Sequence, residues 1–223
     1  KIFYLINLLG NYMPEIIIPG PEGRLEARYQ KGKDQRSPIC LVLHPHPRQG
    51  GTMNNKIVYN IYHAFKNIGF ATLRFNFRGV GKSQGSYDNG VGELTDAAAA
   101  LDWLQNENPT AQNTWIAGFS FGSWLALQLL MRRPEIAGFV AVSPPANLYD
   151  FSFLAPCPAS GLIIQGTDDK IVEAEQVSEL ADKLNKQKNL KVVYKKLIGA
   201  DHFFKNELDD IQDAITKYVR KSI

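Results

Sequence analysis

The stretch NTWIAGFSFGSWLALQLLMRRP, Asn113 to Pro134, joins two apolar segments of different kind through Gly-Phe-Ser-Phe-Gly. Its first part, up to Ser120, reads as a buried strand. Its second part, Gly122 to Arg133, is apolar almost all round and reads as a buried helix that Pro134 stops. A serine between two glycines on a tight strand-to-helix turn is the arrangement of a nucleophile elbow: the turn strains the serine's dihedrals, and only glycines let the flanking backbone approach so closely. Ser120 is therefore a candidate nucleophile, its hydroxyl projecting above the edge of a sheet.

Outward from this turn, strand-like and helix-like runs alternate along the chain, the pattern of a parallel sheet covered on both faces. PICLVLHPHP and FATLRFNF flank a helical pattern with Ile57, Ile61, Phe65 and Ile68 on one face; ELTDAAAALDWLQ repeats the pattern with Leu94, Ala98, Leu101 and Leu104. Its Glu93 and Asp96 suit a helix N-terminus. Downstream come IAGFVAVS, GLIIQG, a helix carrying Val177, Leu180, Ala181 and Leu184, the strand LKVVYKKL, and a terminal helix with Leu208, Ile211, Ile215 and Val219. Upstream, EIII and RLEARYQ have no helix between them and predict an antiparallel edge hairpin. Residues 13–223 read as one α/β domain, with no repeat, no linker and no cap domain. Because MPEIIIPG reads as a native start at Met13, residues 1–12 read as an upstream extension, too short to span a bilayer and without a signal-peptide cleavage site.

A serine hydroxyl needs a base, and the base an orienting acid, in the order Ser, Asp/Glu, His. GLIIQGTDDKIV ends a strand in Asp168 and Asp169, and VVYKKLIGADHFF ends one in His202. Parallel strands bring their carboxyl ends to one edge, so these residues meet Ser120 there. Adjacent side chains in extended backbone point to opposite sides, so one aspartate faces the imidazole and the other does not. An oxyanion would take the N–H of Phe121 and one from the loop HPHPRQGG. Pro45 and Pro47 have no N–H, which leaves His46 nearest the strand end, with Arg48 and the glycines beyond it. His44 and His46 alone, without a carboxylate or cysteine nearby, are an incomplete metal ligand set. The string GVGKS, Gly79 to Ser83, looks like a phosphate loop but has Asn76 in place of the first glycine and no helix immediately after.

A net charge of +3, with Lys and Arg scattered along the chain, disfavours nucleic acid or an anionic membrane as partner. Cys40, inside an apolar run, and Cys157, between prolines, predict free thiols in a reducing, cytoplasmic compartment.

On HPHP, NFRGVGKS, GFSFG, GTDDKIV and DHFF, spread over residues 14–221, the chain resembles the α/β-hydrolase superfamily, and within it the small cap-less bacterial serine esterases of the dienelactone hydrolase-like kind. Two departures stand out. The family's usual His-Gly is His44-Pro45 here, and dienelactone hydrolases proper carry cysteine at the elbow, whereas this chain has Ser120. The resemblance implies an α/β-hydrolase fold, a mostly parallel sheet with helices on both faces, and a Ser120–His202–Asp169 triad. Asp169 is favoured by the family spacing from Gly166 to Val172. Phe121 and His46 are the implied oxyanion donors. No metal or organic cofactor is implied; the implied partner is a small-molecule ester, and a homodimer is allowed for. A peptidase or thioesterase on the same scaffold, a non-catalytic binding module, and a nucleotide-dependent enzyme using GVGKS are the alternatives.

Overall fold

A computed structural model describes residues 15–223; the extension over 1–12 and Met13 lie outside the described residues. The chain runs β1 (Glu15–Gly20), β2 (Gly23–Gln30), β3 (Ile39–Leu43), a 3₁₀ turn (Pro47–Gln49), α1 (Lys56–Ile68), β4 (Ala71–Phe75), α2 (Val91–Glu107), β5 (Thr114–Phe119), α3 (Phe121–Leu130), β6 (Ile136–Val142), β7 (Gly161–Gly166), α4 (Ala174–Asn185), β8 (Val192–Leu197) and α5 (Leu208–Val219). The strands form one eight-stranded sheet in the order β1-β2-β4-β3-β5-β6-β7-β8. Pairing is antiparallel from β1 through β2 to β4 and parallel from β4 onward. The predicted edge hairpin is thus β1–β2.

Alternation within the central strands divides the core into two layers, as the two-residue period of a strand requires. Ile39, Leu41 and Leu43 of β3, with Ile116 of β5, pack on the side of α2, α3 and α4. Cys40 and Val42, with Trp115, Ala117 and Phe119, pack on the side of α1 and α5. The near-continuous apolar reading of these strands follows from burial on both faces. Both cysteines are buried and unpaired. Among the described residues, no helix is long and apolar enough to cross a membrane.

The sheet reverses direction at β3: the chain steps outward to β4, then returns across β3 to β5. Crossovers leaving in opposite directions open a crevice at the carboxyl ends of β3 and β5, the usual place for a ligand in such sheets. The loop after β3 and the turn after β5 face each other across it.

The GVGKS segment belongs to that edge but shapes backbone. Ser83 Oγ donates to Asn76 O (2.7 Å) and accepts from Glu26 N–H (2.9 Å), and exposed Lys82 reaches Glu15 (2.5 Å). The next helix, α2, starts only at Val91. Arg78, buried, forks onto buried Asp96 (Nη2 2.8 Å, Nε 3.0 Å). Glu93, read from the sequence as a residue suited to a helix start, is also fully buried and accepts from the N–H groups of Asp88 (2.9 Å) and Gly90 (2.7 Å).

Candidate active site

Ser120 sits between β5 and α3 at φ 52°, ψ −123°, a conformation that costs a non-glycine residue roughly 1–3 kcal/mol. The turn is held from both sides. Ser120 N–H donates to Val142 O of β6 (2.9 Å), and Ser120 O accepts from Ser123 N–H (2.8 Å) and Ser123 Oγ (2.6 Å). The two glycines have separate reasons. A Cβ on Gly118 would lie 2.4 Å from Gly122 C and O; one on Gly122 would lie 2.4 Å from Leu43 O and 2.5 Å from His44 O. The first lets α3 fold back on its own strand, and the second lets α3 press on the end of β3.

Asp169 follows β7 with its carboxylate fully engaged. Oδ1 accepts from the N–H groups of Ile171 (2.9 Å) and Val172 (2.8 Å); Oδ2 accepts from His202 Nδ1 (2.7 Å) and Gln165 Nε2 (3.2 Å). Burial pushes the carboxyl up, but the bonds from His202 and the turn outweigh it, and its pKa lies below the ordinary value. Asp168 is exposed and accepts from Thr167 Oγ1 (3.0 Å). It is Asp169, the aspartate favoured by the family spacing, that both faces the imidazole and ties the turn.

His202, buried, packs its ring against Phe119, the residue before Ser120, with centroids 5.0 Å apart. Among the described residues no hydrogen bond joins Ser120 Oγ to His202.

Opposite, the two histidines of HPHP do different work. His44 is wholly buried: Nδ1 donates to Pro45 O (2.7 Å) and Nε2 accepts from Phe77 N–H (3.0 Å), which pins the loop after β3 to the loop after β4. Burial lowers its pKa to about 3, so it is neutral. His46 Nδ1 accepts from Arg48 N–H (3.1 Å), so Nε2 carries the proton and donates to Tyr87 Oη (3.0 Å). With both nitrogens of each ring engaged, this His-x-His has no lone pair for a metal. The backbone N–H groups of His46 and Phe121 donate to no described residue, and Phe121 opens α3, where the helix dipole favours negative charge. The His46 and Phe121 rings lie 4.9 Å apart.

The sequence reading passed over Gln165, Tyr87 and the side-chain role of His44. The available signals were a lone polar residue in the apolar strand GLIIQG and a histidine ending an apolar one.

Phe121, Trp124 and Tyr149 extend an aromatic wall away from the elbow, Trp124 and Tyr149 stacked at 4.3 Å. Beyond Tyr149 lies a cavity of about 520 Å³ between residues 146–155 and α4; none of Ser120, Asp169, His202, Phe121 or His46 lines it. Around the carboxyl edge, exposed Leu148, Ile171, Ile198 and Phe203 stand on the loops after β6, β7 and β8.

A family model described as X-Pro dipeptidyl-peptidase (S15 family) matches residues 24–201. An uncharacterized protein of Rickettsia prowazekii (strain Madrid E) is 56% identical over 211 residues, covering 93% of this chain and 89% of its own length. A protein of unknown function from Agrobacterium tumefaciens, classed with the α/β hydrolases, superposes with a TM-score of 0.90 at 52% identity, over 93% of this chain and 95% of that one. An α/β serine hydrolase without a lid from Xanthomonas campestris superposes at 0.83 with 32% identity, over 95% of each chain.

Proposed function

The chain belongs to the α/β serine hydrolases without a lid, in the sequence family described as X-Pro dipeptidyl-peptidase (S15), and on that premise we propose that it hydrolyses small carboxylic esters with Ser120, His202 and Asp169 as its triad. The observation that carries the reading is the bond from His202 Nδ1 to Asp169 Oδ2 (2.7 Å) beside a strained serine at a helix start.

In this reading Asp169 holds the Nδ1–H tautomer of His202, which leaves Nε2 as the base. His202 takes the proton of Ser120 Oγ as that oxygen attacks the ester carbonyl. The N–H groups of Phe121 and His46 receive the negative charge that develops on the carbonyl oxygen. His202 returns the proton to the departing alkoxide, and a water, deprotonated by the same nitrogen, releases the acid from Ser120. The open edge favours substrates that reach the serine directly from water. The exposed Leu148, Ile171, Ile198 and Phe203 favour an apolar group on the ester.

The family description favours a second reading, a peptidase, which would use the same three residues. An amine leaves less readily than an alcohol and depends more on proton return from His202, so the two readings separate by substrate, not by triad. Hydrolysis of p-nitrophenyl esters of graded chain length, beside X-Pro dipeptide amides and thioesters, tests the assignment. Ser120→Ala should lower the preferred activity on the order of 10⁴-fold and abolish fluorophosphonate labelling while the fold persists. Retention of activity within tenfold would remove Ser120 from the chemistry.

A further inference from the structure

Gln165 is the penultimate residue of an otherwise apolar strand, four residues before Asp169, and is fully buried. Its Nε2 lies 3.2 Å from Asp169 Oδ2, 2.9 Å from Val172 O and 3.3 Å from Gly166 O. The orientation of the amide is not free. Turned over, Oε1 would meet three oxygens; as it stands, Oε1 is buried with no partner among the described residues. A buried carboxamide with an unmet acceptor is an unfavourable choice for mere filling of a strand. What it gains is a donor on the one carboxylate oxygen that also holds the histidine.

We propose that Gln165 is a positioning residue that fixes the plane of the Asp169 carboxylate and, by sharing Oδ2 with His202, limits how strongly that oxygen holds the imidazolium. The proposal rests on the reading of Asp169 and His202 as acid and base. Each carboxylate oxygen has two donors: the turn N–H groups on Oδ1, Gln165 and His202 on Oδ2. Without Gln165, Oδ2 keeps one donor and directs its charge at Nδ1–H alone, so the imidazolium is better held and loses its proton at higher pH. The carboxylate also loses the bond that stops it turning about the Oδ1 anchor. Other charges near the pair are at the surface: Asp168 and Lys170 on the β7 turn, and Asp201 with Lys205 (3.4 Å) on the His202 loop. Phe119, at the end of β5, brings none.

Gln165→Met keeps the length of the side chain and removes the donors. In a Ser120→Ala background, the imidazole titration of His202 by NMR, assigned with His202→Gln, should move up by about half a pH unit. With Ser120 present, the acid limb of the kcat profile should move by the same amount, and the plateau kcat should fall roughly three- to tenfold with KM little changed. An unmoved or lowered midpoint in folded Gln165→Met overturns the proposal, since a strand-filling role would alter melting temperature alone. Should that variant not fold, Gln165→Leu, which also removes the donors, must shift the midpoint upward; no shift refutes the proposal equally. Because the NMR midpoint needs no substrate, an upward shift in a protein that cleaves no ester or peptide would sink the hydrolase reading and leave the Gln165 coupling standing.

Discussion

Replacing Asp169 with Asn tests the acid assignment most sharply, because the bonds already present dictate how the amide must sit. Oδ1 accepts two backbone N–H groups, from Ile171 and Val172, so the Asn oxygen has to take that place. Its Nδ2 then faces His202 Nδ1 and Gln165 Nε2, where Oδ2 had accepted from both. A donor against a donor is repulsive, and His202 escapes by moving its proton to Nε2, so that Nδ1 accepts from the amide. That tautomer presents N–H to Ser120 and cannot act as base. The equivalent change in a chymotrypsin-type protease costs about 10⁴ in kcat, or about 5.4 kcal/mol of barrier at about 1.36 kcal/mol per tenfold. The fold should survive, since the side chain keeps its shape and its turn bonds. Steady-state kinetics on the preferred ester, with circular dichroism to certify folding, measures this. Asp168→Asn should cost less than about tenfold, because Asp168 is exposed and Asn can still accept from Thr167 Oγ1. Reversal of that order, or an Asp169→Asn variant retaining a tenth of the activity, would refute the tautomer argument.

His44, buried and neutral with a pKa of about 3 against about 6.5 when unfolded, makes the unfolded chain bind more protons between those values. Stability should therefore drop as pH falls below about 6.5, by up to about 1.4 kcal/mol per unit and about 2 kcal/mol by pH 5; urea unfolding should show this slope flattened in His44→Gln, and an unchanged slope would rule out His44 as its source. Gly122→Ala drives a Cβ to 2.4 Å from Leu43 O, a backbone atom that cannot swing aside. Destabilisation of about 3 kcal/mol, or about 6–12 °C in melting temperature, is expected, and a shift under about 2 °C would mean that α3 does not press on β3 as described. Lys82→Ala should leave ester hydrolysis within about tenfold, because the lysine is exposed and its pair with Glu15 lies at the surface; a loss comparable to Ser120→Ala would restore a chemical role to GVGKS.

The strands, and the Ser, Asp, His order that the proposed triad uses, were legible because each depends on a short-range pattern. The apolar run into GFSFG can bury both faces only as a central strand, and the glycines beside Ser120 answer contacts within five residues and at the end of the neighbouring strand. His202 and the aspartate pair were legible because strand ends in a parallel sheet share an edge whatever the loops do. The division of labour between Asp168 and Asp169 was less so: both follow the same strand, and only the three-dimensional turn shows which one accepts from Ile171 and Val172. Glu93 does sit in the first turn of α2, as its place in the sequence suggests, whereas Asp96 was read only as a helix charge because its partner Arg78 is reached by a loop path that no periodicity encodes. Gln165 was hidden for the same reason. A single polar residue in a strand has no period, and its meaning lies in the carboxylate four residues on.

The buried polar groups behind the crevice explain how an enzyme without a lid can keep its loops in place. The loop after β3 is tied to the strand and loop beside it by His44 to Phe77 N–H (3.0 Å), by Met53 N–H to Asn76 Oδ1 (2.8 Å) and by Arg74 to Met53 O (2.5 Å). Asn76 is in turn held by Glu26 (2.8 Å), which also takes Lys82 N–H (2.9 Å), and Arg78 is anchored on Asp96. Burying such groups adds little net stability, since desolvation offsets most of each bond and an apolar packing of equal volume would often do as well. Their contribution is geometric: each bond has one length and direction, where apolar contacts would tolerate sliding. A closing lid would orient the oxyanion donors at the moment of substrate binding. On the proposed reading, the polar network would hold the His46 N–H and the α3 terminus in register beforehand, so that the site stays open to water and still presents fixed dipoles to the developing charge.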